Sequence, residues 1–128
     1  MKIAITGGSG YVGSCLIKKL EKETWVKSIL SLDIKLPIME LHKKTSHVIH
    51  DVTSPFDDLL LKFKPDVLIH LSFVLQPSRN TTQTEKVNLL GTLNALHATE
   101  IAKANQLIYF SSTTIYGVHP DNPRWLNE

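Results

Sequence analysis

The stretch Thr6-Gly7-Gly8-Ser9-Gly10-Tyr11-Val12-Gly13 decides how this chain is read. Before it lies a short apolar run, Lys2 to Thr6, that ends at glycines as a buried strand does. After it, Val12, Leu16 and Leu20 recur at i, i+4, i+8. That spacing predicts a helix from Gly13 to about Lys22, with Lys18, Lys19, Glu21 and Lys22 mainly off the apolar face. A glycine-rich turn joining a strand to a helix has a specific physical meaning. Gly7 allows the tight turn, Gly10 lets backbone approach a pyrophosphate, and Gly13 lets the helix pack on the strand. The free amides and positive dipole of the helix N-terminus then hold phosphates. A tight turn that binds nothing has the same glycines, so a second signal is needed. Asp33 supplies it, about 20 residues after Gly13, at the end of a second predicted strand, Ser28 to Asp33. A carboxylate there accepts hydrogen bonds from adenosine ribose hydroxyls and repels a 2′-phosphate. NAD is therefore expected over NADP, with Lys35 nearby working against that preference.

The same alternation continues outward. Ser46 to Asp51 is a third predicted strand. Ser54 reads as an N-cap, Pro55 as the first helical position, and Asp57 and Asp58 as first-turn acids. Phe56, Leu59, Leu60 and Phe63 then share one helical face, and Pro65 ends the helix. Asp66 to Leu71 is a fourth strand, followed by a polar loop over 76–81. Thr82-x-x-Glu85 has the form of a capping box opening a long helix over 83–104. Its stripe of Val87, Leu90, Gly91, Asn94, Ala95, Ala98, Ile101 and Ala102 is mostly small, so another backbone is expected close to it. Leu107 to Ser111 is a fifth strand, and the tail from Gly117 reads as loop or lid. The segment 35–44 is open between a short helix and an irregular connection. Apolar strands alternating with amphipathic helices imply one α/β domain, a doubly wound parallel sheet of about five strands.

Composition narrows the function classes. With 14 Lys+Arg against 12 Asp+Glu, a formal net charge of +2 does not mark a nucleic-acid binder or a polybasic membrane binder. Cys15 is the single cysteine, so no intrachain disulfide forms. No apolar run approaches the ~20 residues of a membrane span, and Met1 to Ile5 is too short for a signal peptide. A reducing, cytoplasmic setting is the expectation. The six histidines contain no recognisable ligand pair, and His47 and His50 are expected on opposite strand faces, so no metal site is predicted.

With these motifs in order, the sequence resembles the extended short-chain dehydrogenase/reductase family, the NAD-dependent sugar epimerases and dehydratases. The resemblance runs from residue 1 to about residue 120 and implies a Rossmann-like fold. The glycine motif at 6–13 is similar to that family's own. Asp51-Val52 resembles its Asp plus apolar residue against the adenine. His70-Leu71-Ser72-Phe73 stands where the family has an apolar residue and two alanines beside the cofactor. Ser72 and Phe73 depart from that pattern, and Phe73 is expected to narrow the nicotinamide end. Val87-Asn88-Leu89-Leu90-Gly91-Thr92 resembles the helix motif whose Asn ties the helix to the neighbouring strand and cofactor. Phe110 to Gly117 resembles the strand-end motif that makes Ser112 the catalytic hydroxyl. The resemblance thus implies a cofactor set of Gly7, Gly10, Tyr11, Val12, Gly13, Asp33, Asp51, Val52, Leu71, Ser72, Phe73 and Asn88. It also implies NAD, a nucleotide-activated sugar, hydride transfer from a carbinol, and a homodimer through helix 83–104.

The family's catalytic machinery also uses a Tyr-x-x-x-Lys pair, the Tyr acting as general base. Within these 128 residues, Tyr11 is followed four later by Cys15, Tyr109 by Thr113 and Tyr116 by Pro120. No lysine follows Lys103, and Tyr116 belongs to the strand-end motif. The expectation is a cofactor-binding half whose Tyr-Lys pair, sixth strand and sugar-binding lobe lie beyond residue 128. The alternative is a non-catalytic dinucleotide-binding module. In either case the helix face from Gly91 to Ala102 is expected partly bare and able to self-associate.

Overall fold

The computed structural model describes residues 1–37, 43–74, 81–111, 117 and 120–122. The five apolar runs form strands: β1 (Lys2–Thr6), β2 (Ser28–Asp33), β3 (Thr45–Ile49), β4 (Val67–His70) and β5 (Gln106–Tyr109). They make one sheet in the order β3-β2-β1-β4-β5, with every pair parallel. Parallel strands need crossovers: α1 (Tyr11–Leu20) joins β1 to β2, α2 (Asp57–Phe63) joins β3 to β4, and α3 (Thr81–Glu85) with α4 (Gly91–Ile101) joins β4 to β5, while no helix lies among the described residues between β2 and β3. A π-helical turn, Lys86–Leu90, joins α3 to α4. No helix of the described residues is long and apolar enough to cross a membrane.

Alternation along the strands builds two cores, one on each face of the sheet. Ile3, Ile5, Ile29, Val67 and Ile69 pack with Ile17 and Leu20 of α1. Ala4, Leu30, Leu32 and Leu68 pack with Val52 and Phe56 ahead of α2, Leu60 of α2, and Ala95 and Ala98 of α4. A fully buried Leu or Phe contributes about 1.5–3 kcal/mol, so Phe56, Leu60 and Leu68 anchor this second layer. His97 of α4 also pairs with Asp57 of α2 at 2.9 Å, at an exposed position where such pairs contribute little.

Element boundaries differ from the sequence reading for identifiable reasons. Gly10 is extended (φ −72°, ψ 170°) and caps α1, so that helix starts at Tyr11 rather than Gly13. β3 stops at Ile49 because its last register partner is Asp33, the end of β2. α2 starts at Asp57 with Phe56 as its N-cap, not at Ser54. Asp51 takes the preceding turn instead: its carboxylate accepts from the Thr53 amide and its carbonyl from the Ser54 amide. Thr82 lies inside α3 and is no cap.

The small-residue stripe does meet close neighbours. A Cβ added at Gly91 would stand 2.8 Å from Val52 Cγ2, and Asn94 Nδ2 donates to the Val52 carbonyl at 2.8 Å. Gly91, Ala95 and Ala98 of this face are buried within the chain, while Ile101 of the same stripe stays exposed. The exposed apolar side chains of this helix are Leu89, Leu93 and Leu96, with Leu90 and Ile101 less so.

Candidate functional site

The strand order reverses between β1 and β4, and ligands of doubly wound sheets bind beyond the carboxyl ends of the strands at such a point. A groove of about 450 Å³ lies there. Its lining comes from the segments after four strands: Gly7, Ser9, Gly10 and Tyr11 after β1; Asp33, Ile34 and Lys35 at β2; His50, Asp51 and Val52 after β3; Leu71 to Val74 after β4. Gln83 of α3 and Val87 of the π turn close one side.

The glycine turn is built by close approach. Gly7 has φ +75°, and a Cβ there would lie 2.8 Å from the Leu71 carbonyl carbon and the Ser72 nitrogen. At Gly13 a Cβ would lie 2.3 Å from the Gly7 carbonyl oxygen. The Gly7 amide donates to the Leu32 carbonyl at 2.8 Å, fixing the turn to β2. No side chain caps α1 and no acid stands in its first turn. Its first amides therefore face the groove's end of the helix with an uncompensated positive dipole, the arrangement that holds phosphate.

Asp33 is held rigidly. Its Oδ2 accepts from the Ser9 amide at 2.9 Å and its Oδ1 from the Lys35 amide at 3.0 Å. Ser9 Oγ in turn donates to the Lys35 carbonyl at 2.9 Å. The carboxylate is thus bolted to the phosphate-type turn, with lone pairs left for a ligand hydroxyl. Asp51 is exposed beside it, and Val52 is buried beneath Gly91. His50 Nε2 contacts the Ser54 carbonyl at 3.1 Å, and its ring sits edge-on to Phe56.

On the opposite wall, Asn88 reaches from the π turn to the chain after β4. Its Oδ1 accepts from the Val74 amide at 2.8 Å and its Nδ2 donates to the Val74 carbonyl at 3.1 Å. Asn88 shapes the wall without lining the groove. Phe73 is 45% exposed on this wall, a large apolar surface open to a ligand. Beneath the floor, His70 is 2% exposed, and burial lowers its pKa from 6.5 to about 4. Among the described residues no cluster of three or more His, Cys, Asp and Glu is placed to hold a metal.

Of the expected cofactor residues, Gly7, Gly10, Tyr11, Asp33, Asp51, Val52, Leu71, Ser72 and Phe73 line this groove. Val12 is half-exposed on the first turn of α1, and Gly13 is buried against Gly7; neither lines it. Ser112 lies outside the described residues. Sequence reading did not assign Ser9, His50, Ile34, Val74, Gln83 and Val87 to the groove, and it placed Lys35 beside Asp33 only as a weight against the NAD preference. Ser9, Ile34, His50 and Val74 each adjoin a residue it found, whereas Val87 reads as part of a helical stripe.

This geometry agrees with what the chain is similar to. The profile of the NAD dependent epimerase/dehydratase family matches residues 3–128. The chain belongs to that family. It is 31% identical over 125 residues to the UDP-glucose 4-epimerase of Mycoplasma pneumoniae, covering 91% of this chain and 37% of that protein. It is 29% identical over 122 residues to a 3-beta-hydroxysteroid dehydrogenase of Mycolicibacterium neoaurum, covering 89% of this chain and 32% of that protein. The crystal structure of the Bordetella bronchiseptica enzyme WbmG in complex with NAD superimposes with a TM-score of 0.79 at 26% identity. That match covers 91% of this chain and 39% of WbmG. The chain therefore spans under two fifths of the length of these three proteins.

Proposed function

We propose that the groove binds NAD and that the chain carries the cofactor-binding half of an NAD-dependent epimerase or dehydratase acting on a nucleotide-activated sugar. The observation that carries this reading is the Asp33 carboxylate fixed to the glycine turn through Ser9. The uncapped start of α1 suits the pyrophosphate, with Gly7 and Gly13 excluding side chains that would fill the cradle. Asp33 suits the adenosine ribose hydroxyls, and its negative charge favours NAD over NADP. Asp51, Val52 and His50 suit the adenine end, and Leu71, Ser72 and Phe73 the nicotinamide end. Bound NAD supplies a hydride acceptor for oxidation of a sugar carbinol. Ser112 then serves as a substrate-facing hydroxyl, by its resemblance to the family's strand-end motif.

The sugar class is supported by the relative named UDP-glucose 4-epimerase and by WbmG, also solved with NAD and UDP. The steroid dehydrogenase among the relatives sets the competing substrate class. The exposed ridge of Leu89, Leu93 and Leu96 suits a homodimer, in place of the small-residue face. Cytoplasmic placement fits the lone cysteine. Calorimetric titration of the purified protein with NAD, NADP and UDP-sugars tests the reading. Saturable NAD binding tighter than NADP is expected; no heat at millimolar NAD sinks it.

A further inference from the structure

His70 is a buried titratable side chain to which the groove chemistry assigns no task. Thr6, His70 and Tyr109 are register partners across β1, β4 and β5. His70 Nδ1 lies 2.7 Å from Thr6 Oγ1, and its ring stacks on Tyr109 at 5.9 Å between centroids. From α4, Thr92 Oγ1 stands 3.5 Å from His70 Nε2 and donates to the Asn88 carbonyl at 2.6 Å.

The proton count fixes the imidazole. A threonine hydroxyl has one proton, and that of Thr92 is committed to Asn88. Its oxygen therefore offers only lone pairs to His70, so Nε2 carries the ring proton. Nδ1 is then bare and accepts from the Thr6 hydroxyl. The groups in contact with the ring from β1, β5 and α4 are Thr6, Tyr109 and Thr92, all uncharged at neutral pH.

Each end of this chain of bonds leads into a groove wall. Thr6 precedes Gly7, whose close approach to Leu71 and Ser72 forms the phosphate-type turn. Thr92 holds the carbonyl of Asn88, whose side chain clamps Val74. We propose that His70 is a positioning residue. As a neutral, Nε2-protonated imidazole it ties the glycine turn to the π turn bearing Asn88, and so sets the width of the cofactor groove. The ligand in this statement, NAD, rests on the function proposed above.

Nitrogen-detected NMR of the histidine rings in the purified protein reads the tautomer directly. One ring is expected as Nε2–H, untitrated between about pH 7 and pH 5. An Nδ1–H ring or an imidazolium for His70 overturns the proposal. Three variants read the coupling: His70→Leu, His70→Gln, whose amide still donates toward Thr92, and Thr92→Val, which keeps shape and loses the hydroxyl. H70L and T92V are expected to weaken NAD binding about tenfold, the scale of one buried hydrogen bond. They should also speed hydrogen exchange at the Val74 amide and the Asn88 side-chain amide, while H70Q restores most of both. Unchanged Asn88 and Val74 exchange in T92V, or equal losses in H70Q and H70L, overturn the proposal. If H70L does not fold, T92V and H70Q still decide it. If the unaltered protein binds no NAD, the function reading fails, and the tautomer and exchange data judge His70 by themselves.

Discussion

Gly13 sits so close beneath Gly7 that an added Cβ would stand 2.3 Å from the Gly7 carbonyl oxygen. The obstacle is backbone, which cannot turn aside as a side-chain tip can. Gly13→Ala must therefore push α1 away from the turn. Overpacking of this kind costs about 1–3 kcal/mol. The urea midpoint of G13A should fall accordingly, and NAD affinity should drop with it, because the first amides of α1 move with the helix. A G13A protein with unchanged midpoint and unchanged titration would remove this account of the turn.

Asp33 carries the choice of cofactor. Its two oxygens accept from the amides of Ser9 and Lys35, so the carboxylate is both a brace and a ligand group. Asp33→Asn keeps the size and one acceptor while removing the charge. Hydrogen bonds to charged groups contribute about 1.5–3 kcal/mol, so NAD should bind roughly tenfold or more weakly. NADP should lose less or gain, since the repulsion of its 2′-phosphate is gone and Lys35 remains. Parallel titrations of D33N with both dinucleotides check this; an unchanged NAD-to-NADP ratio refutes it.

The pH dependence of stability follows from His70. In the unfolded chain the imidazole takes up a proton as pH falls through about 6.5. In the fold, burial holds its pKa near about 4. Between those values the unfolded state binds more protons, so stability falls as pH drops through that window and is full above it. The loss is on the order of 3 kcal/mol across the whole window. Urea midpoints from about pH 7 to pH 4 should decline more steeply for the unaltered protein than for H70Q, whose amide does not titrate. Parallel slopes would contradict this.

Much of the fold was legible because its signals are local. The strands are short runs rich in apolar residues, β1 ended by Gly7 and β2 by Asp33, and the phosphate-type turn is spelled out between Thr6 and Gly13. Helix starts were misread where two side chains compete for one turn: Ser54 has the form of a cap, but Asp51 captures the Thr53 amide and the helix waits for Asp57. The π turn at Lys86–Leu90 has no sequence signature here, since it answers a tertiary demand. Gly91 must lie against Val52 while Asn88 reaches Val74. The Thr6–His70–Thr92 junction was invisible for a similar reason, because it depends on strand register across residues far apart in the chain.

Two lysines sit in the left-handed region, Lys64 at φ 55° after α2 and Lys103 at φ 53° after α4. Both close helix ends by backbone bonds, Lys64 to the Leu60 carbonyl at 2.7 Å and Lys103 to the Glu100 carbonyl at 3.0 Å. A Cβ in this region costs about 1–2 kcal/mol, partly offset by the chain entropy glycine loses on folding. Lys64→Gly and Lys103→Gly should each stabilise by about 0.5–1 kcal/mol. Denaturant midpoints should rise at constant m for each variant, and an unchanged or lowered midpoint would contradict this.

The exposed ridge of α4 and the π turn predicts association. Leu89, Leu93 and Leu96 are 67%, 52% and 51% exposed and recur at i, i+4, i+7, so they form one apolar stripe along the helix. The opposite face is filled by Gly91, Ala95 and Ala98 against the core. Leaving three leucines in water forgoes about 1.5–3 kcal/mol each if they were fully covered. The protein should therefore self-associate with rising concentration in sedimentation velocity, with an apolar signature that persists in high salt. Leu89→Glu with Leu93→Glu places like charges on the stripe and should yield a monomer with its urea midpoint nearly unchanged, because neither side chain packs in the core. An unaltered protein that stays monomeric at high concentration excludes this surface as a self-association site.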